Sequence, residues 1–177
     1  RDYTPRRFDP SGGTLELEFA LHGSGIAASW AAQARPGQEV GVGGPRGSFV
    51  VPTGFQWHLL VGDETAMPAI ARRLEELPAG VQAMVMAETA DVADRRALHS
   101  RADLSVQWLT EGETGGLTAA VAAWQRPVGE GYAWAAGEAA EMAATRRVLA
   151  EQHGVAKERM RVAAYWKRGA SAHHENL

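Results

Sequence analysis

The sequence predicts a two-part α/β protein: part of a small antiparallel β-barrel, followed by a doubly wound domain with a parallel sheet. Three observations carry this. Before residue 52 apolar and polar residues alternate at a period of two. After residue 56 short, continuously apolar runs alternate with helical repeats, the mark of a sheet covered on both faces. Between them "PTGFQ" interrupts both rhythms, so the boundary falls near Pro52 to Gln56, giving a first part over 1–53 and a second over 54–177.

Taken in order, "RDYTPRRFDP" reads as a strand whose pairing Pro5 confines to an edge or an end. "TLELEFALHG" sets Leu15, Leu17, Phe19 and Leu21 on one face and Glu16, Glu18 and His22 on the other, as a half-buried antiparallel strand does. "GSGIAASWAAQARPG" predicts a short helix or turn ending at Pro36-Gly37, and "QEVGVGGPRGSFVV" a further strand region broken by a Gly-Gly-Pro turn. "WHLLVG" then opens the second part. In "DETAMPAIARRLEELPAG", Met67, Ile70, Ala71, Leu74 and Leu77 recur at helical spacing until Pro78 and Gly80 stop them. The strands "VQAMVMAE", "LSVQWLT", "GYAWAAG" and "MRVAAYW" follow, interleaved with the helical stretches "DVADRRAL", "GGLTAAVAAWQ" and "EAAEMAATRRVLAEQHG".

Composition narrows the functional classes. An apolar fraction of 45% and a charged fraction of 22% describe an ordinary globular protein, and 177 residues suffice for one large domain or two small ones. A net charge of −3 argues against non-specific nucleic-acid binding. No apolar run reaches bilayer length and no signal peptide is visible, so membrane insertion is not expected. The absence of cysteine excludes disulfides, thiolate catalysis and Cys-ligated metal centres, and fits the cytoplasm.

Ligands of parallel sheets bind where strands turn into helices. The first such turn is "VGDETAMPAI": Gly62 permits it, and free amides at the helix start favour a phosphate. It lacks the three-glycine dinucleotide fingerprint, however, and Asp63 would equally serve as an N-cap with Pro68 in the first turn. The fourth strand of this part ends in a similar way, "YAWAAGEAAEM". Turns after the first and fourth strands flank the switch point of a doubly wound sheet, across which a nucleotide could lie. The last strand ends "YWKRGASAHHEN". Tyr165 and Trp166 offer flat faces and Lys167 and Arg168 cations; with Lys157, Arg159 and Arg161 they make the end of the chain locally basic. No carboxylate or third histidine joins His173 and His174 at ligand spacing, so no metal site is expected.

Together "RDYT", "LHG…AASW", "GPRGSF", "GDETAMPAI", "WAAGE" and "YWKRG" closely resemble the siderophore-interacting protein family, FAD-dependent ferric-siderophore reductases of the ferredoxin-NADP reductase superfamily. The resemblance covers essentially the whole chain. It implies that 1–53 corresponds to about the last three strands of a six-stranded FAD-binding barrel and that 54–177 binds NAD(P)H. It implies that Arg1 faces the FAD phosphates, Tyr3 packs on the isoalloxazine and Thr4 reaches the ring. His22 and Gly23 would pass the FAD, Ala28, Ser29 and Trp30 would hold its pyrophosphate, and Arg6 would lie nearby. On the other side it implies that Gly62, Asp63, Glu64 and Thr65 border the nicotinamide, with Ala136, Gly137 and Glu138 as the opposite wall. Glu88 would suit a ribose hydroxyl, while Arg95 and Arg96 could counter it in favour of a 2′-phosphate; the family leans slightly to NADPH. Hydride would pass to FAD and electrons to ferric iron in a siderophore, docked against Lys167 and Arg168. The chemistry would be borne by the flavin, so no catalytic acid, base or metal is assigned. Two other readings stay open: another flavin-dependent reductase of the superfamily, or a non-enzymatic module that binds a nucleotide or siderophore.

Overall fold

The computed structural model describes residues 2–21, 25–44, 49–112, 115–170 and 175–176. Strands β1 (Pro5–Asp9) and β2 (Thr14–Leu17) form a two-stranded antiparallel sheet, and α1 (Ile26–Gln33) follows it. The second part runs β3 (Trp57–Gly62), α2 (Met67–Glu76), β4 (Gln82–Thr89), β5 (Asp103–Thr110), α3 (Gly116–Ala123), β6 (Gly131–Glu138), α4 (Ala139–Glu151), β7 (Met160–Trp166) and β8 (Glu175–Asn176). Its sheet has the order β5-β4-β3-β6-β7-β8. The first five are parallel, and β8 pairs antiparallel with β7.

The strand order reverses between β3 and β6, which run side by side from Trp57 opposite Gly131 to Gly62 opposite Ala136. The expected pair of turns therefore does flank the switch point. Every residue of β3 is buried, because the sheet carries apolar layers on both faces. Trp57, Leu59 and Val61 pack with Leu117 and Val121 of α3 and Met142 and Leu149 of α4. Leu60 packs on the other side with Ile70 and Leu74 of α2, and with Leu77, Val85 and Ala163. This two-sided burial is what the continuously apolar strands predict.

The first part departs from expectation in two places. Strand β2 ends at Leu17, short of the stretch to Leu21, and Leu21 is exposed. Residues 38–44 and 49–51 form no strand, and Val40 and Val42 face solvent. A strand needs a ladder, and neither segment is hydrogen-bonded to a neighbouring strand. The crossover from β4 to β5 also differs: "DVADRRAL" supplies only a 3-10 turn over Val92–Asp94 before the chain extends at Arg95. Asp91 caps that turn by accepting from the Ala93 amide, but Val92 within it is exposed, so the turn has no apolar side to hold a longer helix against the sheet.

Polar contacts join the two parts. Both Arg6 Nη atoms donate to the Glu75 carboxylate, at 3.0 and 2.5 Å, and Arg72 Nη1 donates to the Pro5 carbonyl at 2.6 Å. Arg96 pairs with Glu18, and Arg73 Nη2 donates to Pro52 O at 2.8 Å. No helix among the described residues is long and apolar enough to cross a membrane.

Candidate functional site

These contacts leave an open crevice of about 2840 Å³ between the antiparallel part and the carboxyl edge of the parallel sheet. Tyr3, Phe19, Trp30 and the start of α1 line one side; Asp63, Glu64, Thr65, Glu138 and Lys167–Arg168 line the other.

On the first side Tyr3 and Phe19 lie with ring centroids 4.6 Å apart, and Phe19 continues to Trp30 at 5.9 Å. Helix α1 begins at Gly25 with no side-chain cap and no acidic residue in its first turn. Ile26, its first residue, is 94% exposed. An aromatic wall beside a helix start whose amides have no side-chain acceptor among the described residues suits a flat ring carrying an anionic tail, and these residues thus fit a flavin nucleotide. Ala28 is buried and the Ser29 side chain is exposed, and neither lines the crevice; Gly25, Ile26, Ala27 and Trp30 do. Thr4, just before β1, shares a hydrogen bond with Tyr165 of β7, linking the two parts. Arg6 is not held toward the crevice as expected: its guanidinium is engaged by Glu75 and, at 3.2 Å, by Glu18. Arg1, His22 and Gly23 lie outside the described residues.

On the sheet side Gly62 is buried at the end of β3. A Cβ there would sit 2.4 Å from Ala66 Cβ and 2.7 Å from Ala136 O, so its absence lets the first turn close onto β6. The Asp63 carboxylate caps that turn. Oδ1 accepts from the Thr65 amide at 2.9 Å and the Thr65 hydroxyl at 2.6 Å, while Oδ2 accepts from Trp166 Nε1 at 2.7 Å. Gly137 makes room for it, since a Cβ there would come within 2.6 Å of Oδ2. Burial pushes the Asp63 carboxyl above the usual range, with the hydrogen bonds from Thr65, Trp166 and the Glu138 backbone opposing. Gly62, Ala136 and Gly137 thus shape the switch point from behind, and Asp63, Glu64, Thr65 and Glu138 face the crevice.

Glu138 ends β6 and caps α4. Its Oε2 accepts from the Ala140 and Glu141 amides at 2.6 and 3.1 Å, and its Oε1 from the Arg168 amide at 3.1 Å. Burial alone would raise its pKa, but those three amides and the Arg168 charge outweigh it and hold the carboxyl below the usual range. Glu64 accepts from the Ala90 amide at 2.6 Å, and Glu141 Oε1 from the Thr118 amide at 2.9 Å. Glu88 lines the crevice at the end of β4. The two arginines expected opposite it are committed elsewhere: Arg95 Nη2 donates to Thr110 Oγ1 at 2.8 Å, and Arg96 pairs with Glu18.

Lys167 and Arg168 are exposed on the crevice lip beyond β7, where the Arg168 guanidinium lies 3.8 Å from Glu111. His173 and His174 fall outside the described residues, and no group of three or more His, Cys, Asp and Glu among the described residues is placed to hold a metal. Sequence reasoning missed Phe19 as the link between Tyr3 and Trp30, and missed Glu141. The glutamates of "EAAE", three positions apart at a helix start, were the available signal for Glu141, since that spacing is a capping pattern.

A family description, "Siderophore-interacting protein", matches residues 55–169, and "Siderophore-interacting FAD-binding domain" matches 1–49. The NADPH-dependent ferric-chelate reductase of Escherichia coli is 37% identical over 170 residues, covering 94% of this chain and 65% of that protein. Ferric vibriobactin reductase ViuB of Vibrio cholerae is 31% identical over 183 residues, covering 99% of this chain and 68% of the relative. A siderophore utilization protein from T. fusca superposes with a TM-score of 0.89 at 38% identity, over 97% of this chain and 67% of that one. The chain thus spans about two thirds of the length of the relatives it matches. With both of its parts matched, the chain belongs to the siderophore-interacting protein family.

Proposed function

We propose that this chain carries the working crevice of an NAD(P)H-dependent ferric-siderophore reductase acting in iron acquisition. One observation carries the reading: a flavin-compatible wall and a cationic lip face the same crevice, in a chain whose two parts both match the family. Tyr3, Trp30 and the amides at the start of α1 would hold FAD, with Arg1, His22 and Gly23 assigned to it by resemblance. Bound there, FAD would supply the redox chemistry that links hydride from NAD(P)H to reduction of the ferric iron that is the substrate's cargo. The chain's own residues orient and exclude. Thr65 and Glu138 flank the nicotinamide approach, while Asp63 holds Thr65 and Trp166 in register between the ends of β3 and β7. Lys167 and Arg168 draw an anionic ferric chelate to the lip by charge. The ordering into a partial barrel over 1–53 and a nucleotide domain over 54–177 belongs to the same proposal, as does a cytoplasmic site of action.

The test is a visible spectrum of purified protein titrated with FAD, then reduced anaerobically with NADPH and mixed with a ferric siderophore and a ferrous-iron trap. Flavin bleaching by NADPH and its recovery with ferrous iron formation is the expected result. Protein that takes up no FAD would leave a binding module, and faster turnover of free flavin than of ferric chelate would point to a flavin reductase.

A further inference from the structure

At the carboxyl edge of the parallel sheet the chain's own carboxylates accept from at least one amide after each parallel strand. Asp63 takes the Thr65 amide after β3, and Glu64 takes Ala90 after β4. Glu141 takes Thr118, at the start of α3 after β5. Glu138 takes Ala140 and Glu141 after β6, and Arg168 after β7. In doubly wound sheets the amides at a helix start, here those of α3 and α4, form the ordinary seat of a nucleotide's phosphates, because they are unpaired donors at the positive end of a helix dipole. Here a phosphate would have to displace a carboxylate and then sit beside several others.

Among these side chains Glu138 is the one placed to decide the matter. It stands at the switch point, on the crevice wall, at the start of the 13-residue α4. The cations nearby sit on the outer lip or are paired: Lys167 and Arg168 are exposed beyond β7, Arg168 lying 3.8 Å from Glu111, while Arg95 and Arg96 are engaged by Thr110 and Glu18.

We propose that Glu138 is a specificity-determining residue that fills the phosphate seat at the start of α4, so that the crevice takes a nicotinamide nucleotide by its nicotinamide–ribose end, grips its phosphates weakly and discriminates little between NADPH and NADH. The proposal rests on the reading of the crevice as the approach for a nicotinamide nucleotide. It concerns binding, however, and can be tested without turnover.

The probe is 2′-phospho-ADP-ribose, which carries the phosphates and lacks the nicotinamide, titrated calorimetrically into the parent, Glu138→Asn and Glu138→Ala. Asparagine keeps a capping acceptor for α4 and removes the charge, so it guards against loss of fold in the alanine variant. Glu130→Gln, at the opposite edge of the sheet where Glu130 pairs with Arg159, is the control. The expected result is at least about tenfold tighter binding in Glu138→Asn than in the parent, the scale of removing one unfavourable charge contact, with no change in the control. Stopped-flow reduction of bound FAD should then reach half its limiting rate at a lower concentration of both nucleotides. Unchanged or weaker binding of the probe in Glu138→Asn overturns the proposal. Tighter probe binding with no flavin reduction by either nucleotide upholds the proposal about the seat and sinks the hydride-donor reading alone.

Discussion

The two sides of the crevice treat their helix starts in opposite ways. On the antiparallel side α1 begins at Gly25, and among the described residues it has no side-chain cap and no first-turn acid. On the parallel side the turn after β3 and helices α3 and α4 each have an amide bonded to Asp63, Glu141 or Glu138. An open helix start attracts an anion, whereas a start closed by a carboxylate has already spent its donors and adds a negative charge. The lesson is that a strand-turn-helix at a switch point is not by itself a phosphate site. What the side chains at the turn do with the amides decides it.

The largest effect that would set the two sides apart is acid sensitivity, which belongs to the parallel part. His58 on β3 has no exposed surface and its ring nitrogens lack a well-formed hydrogen bond. Burial, with the nearby Arg73 charge, pushes its pKa down to about 4, and the Thr53 backbone offsets this only in part. The folded state therefore favours the neutral ring. The stability this implies is intact above the unfolded value near 6.5 and is lost as pH falls from there toward 4. A shift of this size corresponds to about 3 kcal/mol across the window. Urea unfolding followed by tryptophan fluorescence at pH 7.5 and pH 4.5 should show the loss, and His58→Leu should flatten it. An equal slope in the variant would rule His58 out as the source.

Next is the bond that ties the switch point to β7. Trp166→Phe removes the donor to Asp63 Oδ2 and leaves a half-buried carboxylate short of a partner, at a cost of about 1–3 kcal/mol near neutral pH. Since burial already raises the Asp63 pKa, the loss should shrink as pH falls and the carboxyl protonates. Unfolding free energies of parent and variant measured from pH 7 to pH 4 check the sign. A loss that grows toward acid pH would contradict the assignment.

How far these features could be read from the sequence follows the same division. The parallel sheet was legible because β3, β4, β6 and β7 are buried apolar runs, whose length and flanking turns separate them from helices. The switch point followed from the order of its turns. The Asp63 cap was legible as one of two readings of "GDETAMP", because capping is local. What escaped was non-local: Trp166 reaching Asp63 across 103 positions, Arg6 drawn to Glu75 across 69, and the carboxylates sharing one edge. The strand region expected from residue 38 is absent over 38–44 and 49–51 for a related reason, since alternation signals a face to bury and pairing needs a neighbouring strand to supply the ladder. The arginines after β4 went to Thr110 and Glu18, which no spacing announces.

Closing the open side should weaken its ligand while leaving the helix intact. Ile26→Asp places an acid in the first turn of α1, at a residue 94% exposed, where it complements the dipole and costs no core packing. FAD titration by flavin fluorescence should show affinity falling on the order of tenfold, about 1.4 kcal/mol, with the melting temperature unchanged or slightly raised. Unaltered affinity would remove the start of α1 from the flavin site.

The smallest expected effect concerns the lip, where the comparison can be drawn within two adjacent residues. Lys167 and Arg168 follow β7 on the same edge as the capped starts, but the Arg168 guanidinium lies 3.8 Å from Glu111 and its backbone amide donates to Glu138. Part of its charge is thus answered before any substrate arrives, and reversing it would also place a carboxylate beside Glu111. Exposed charges of this kind act mainly through long-range attraction and contribute roughly 0.2–1 kcal/mol, equivalent to a rise of about 1.4- to 5-fold in KM for an anionic ferric siderophore. Lys167→Glu should show that rise at low salt and lose it as ionic strength increases, with NAD(P)H oxidation by a neutral acceptor unchanged. Arg168→Gln, which removes the charge without repelling Glu111, should show less, because the charge removed was already shared. If Arg168→Gln raised KM more than Lys167→Glu did, the Glu111 contact would be too weak to matter, and Arg168 would be the residue that meets the substrate.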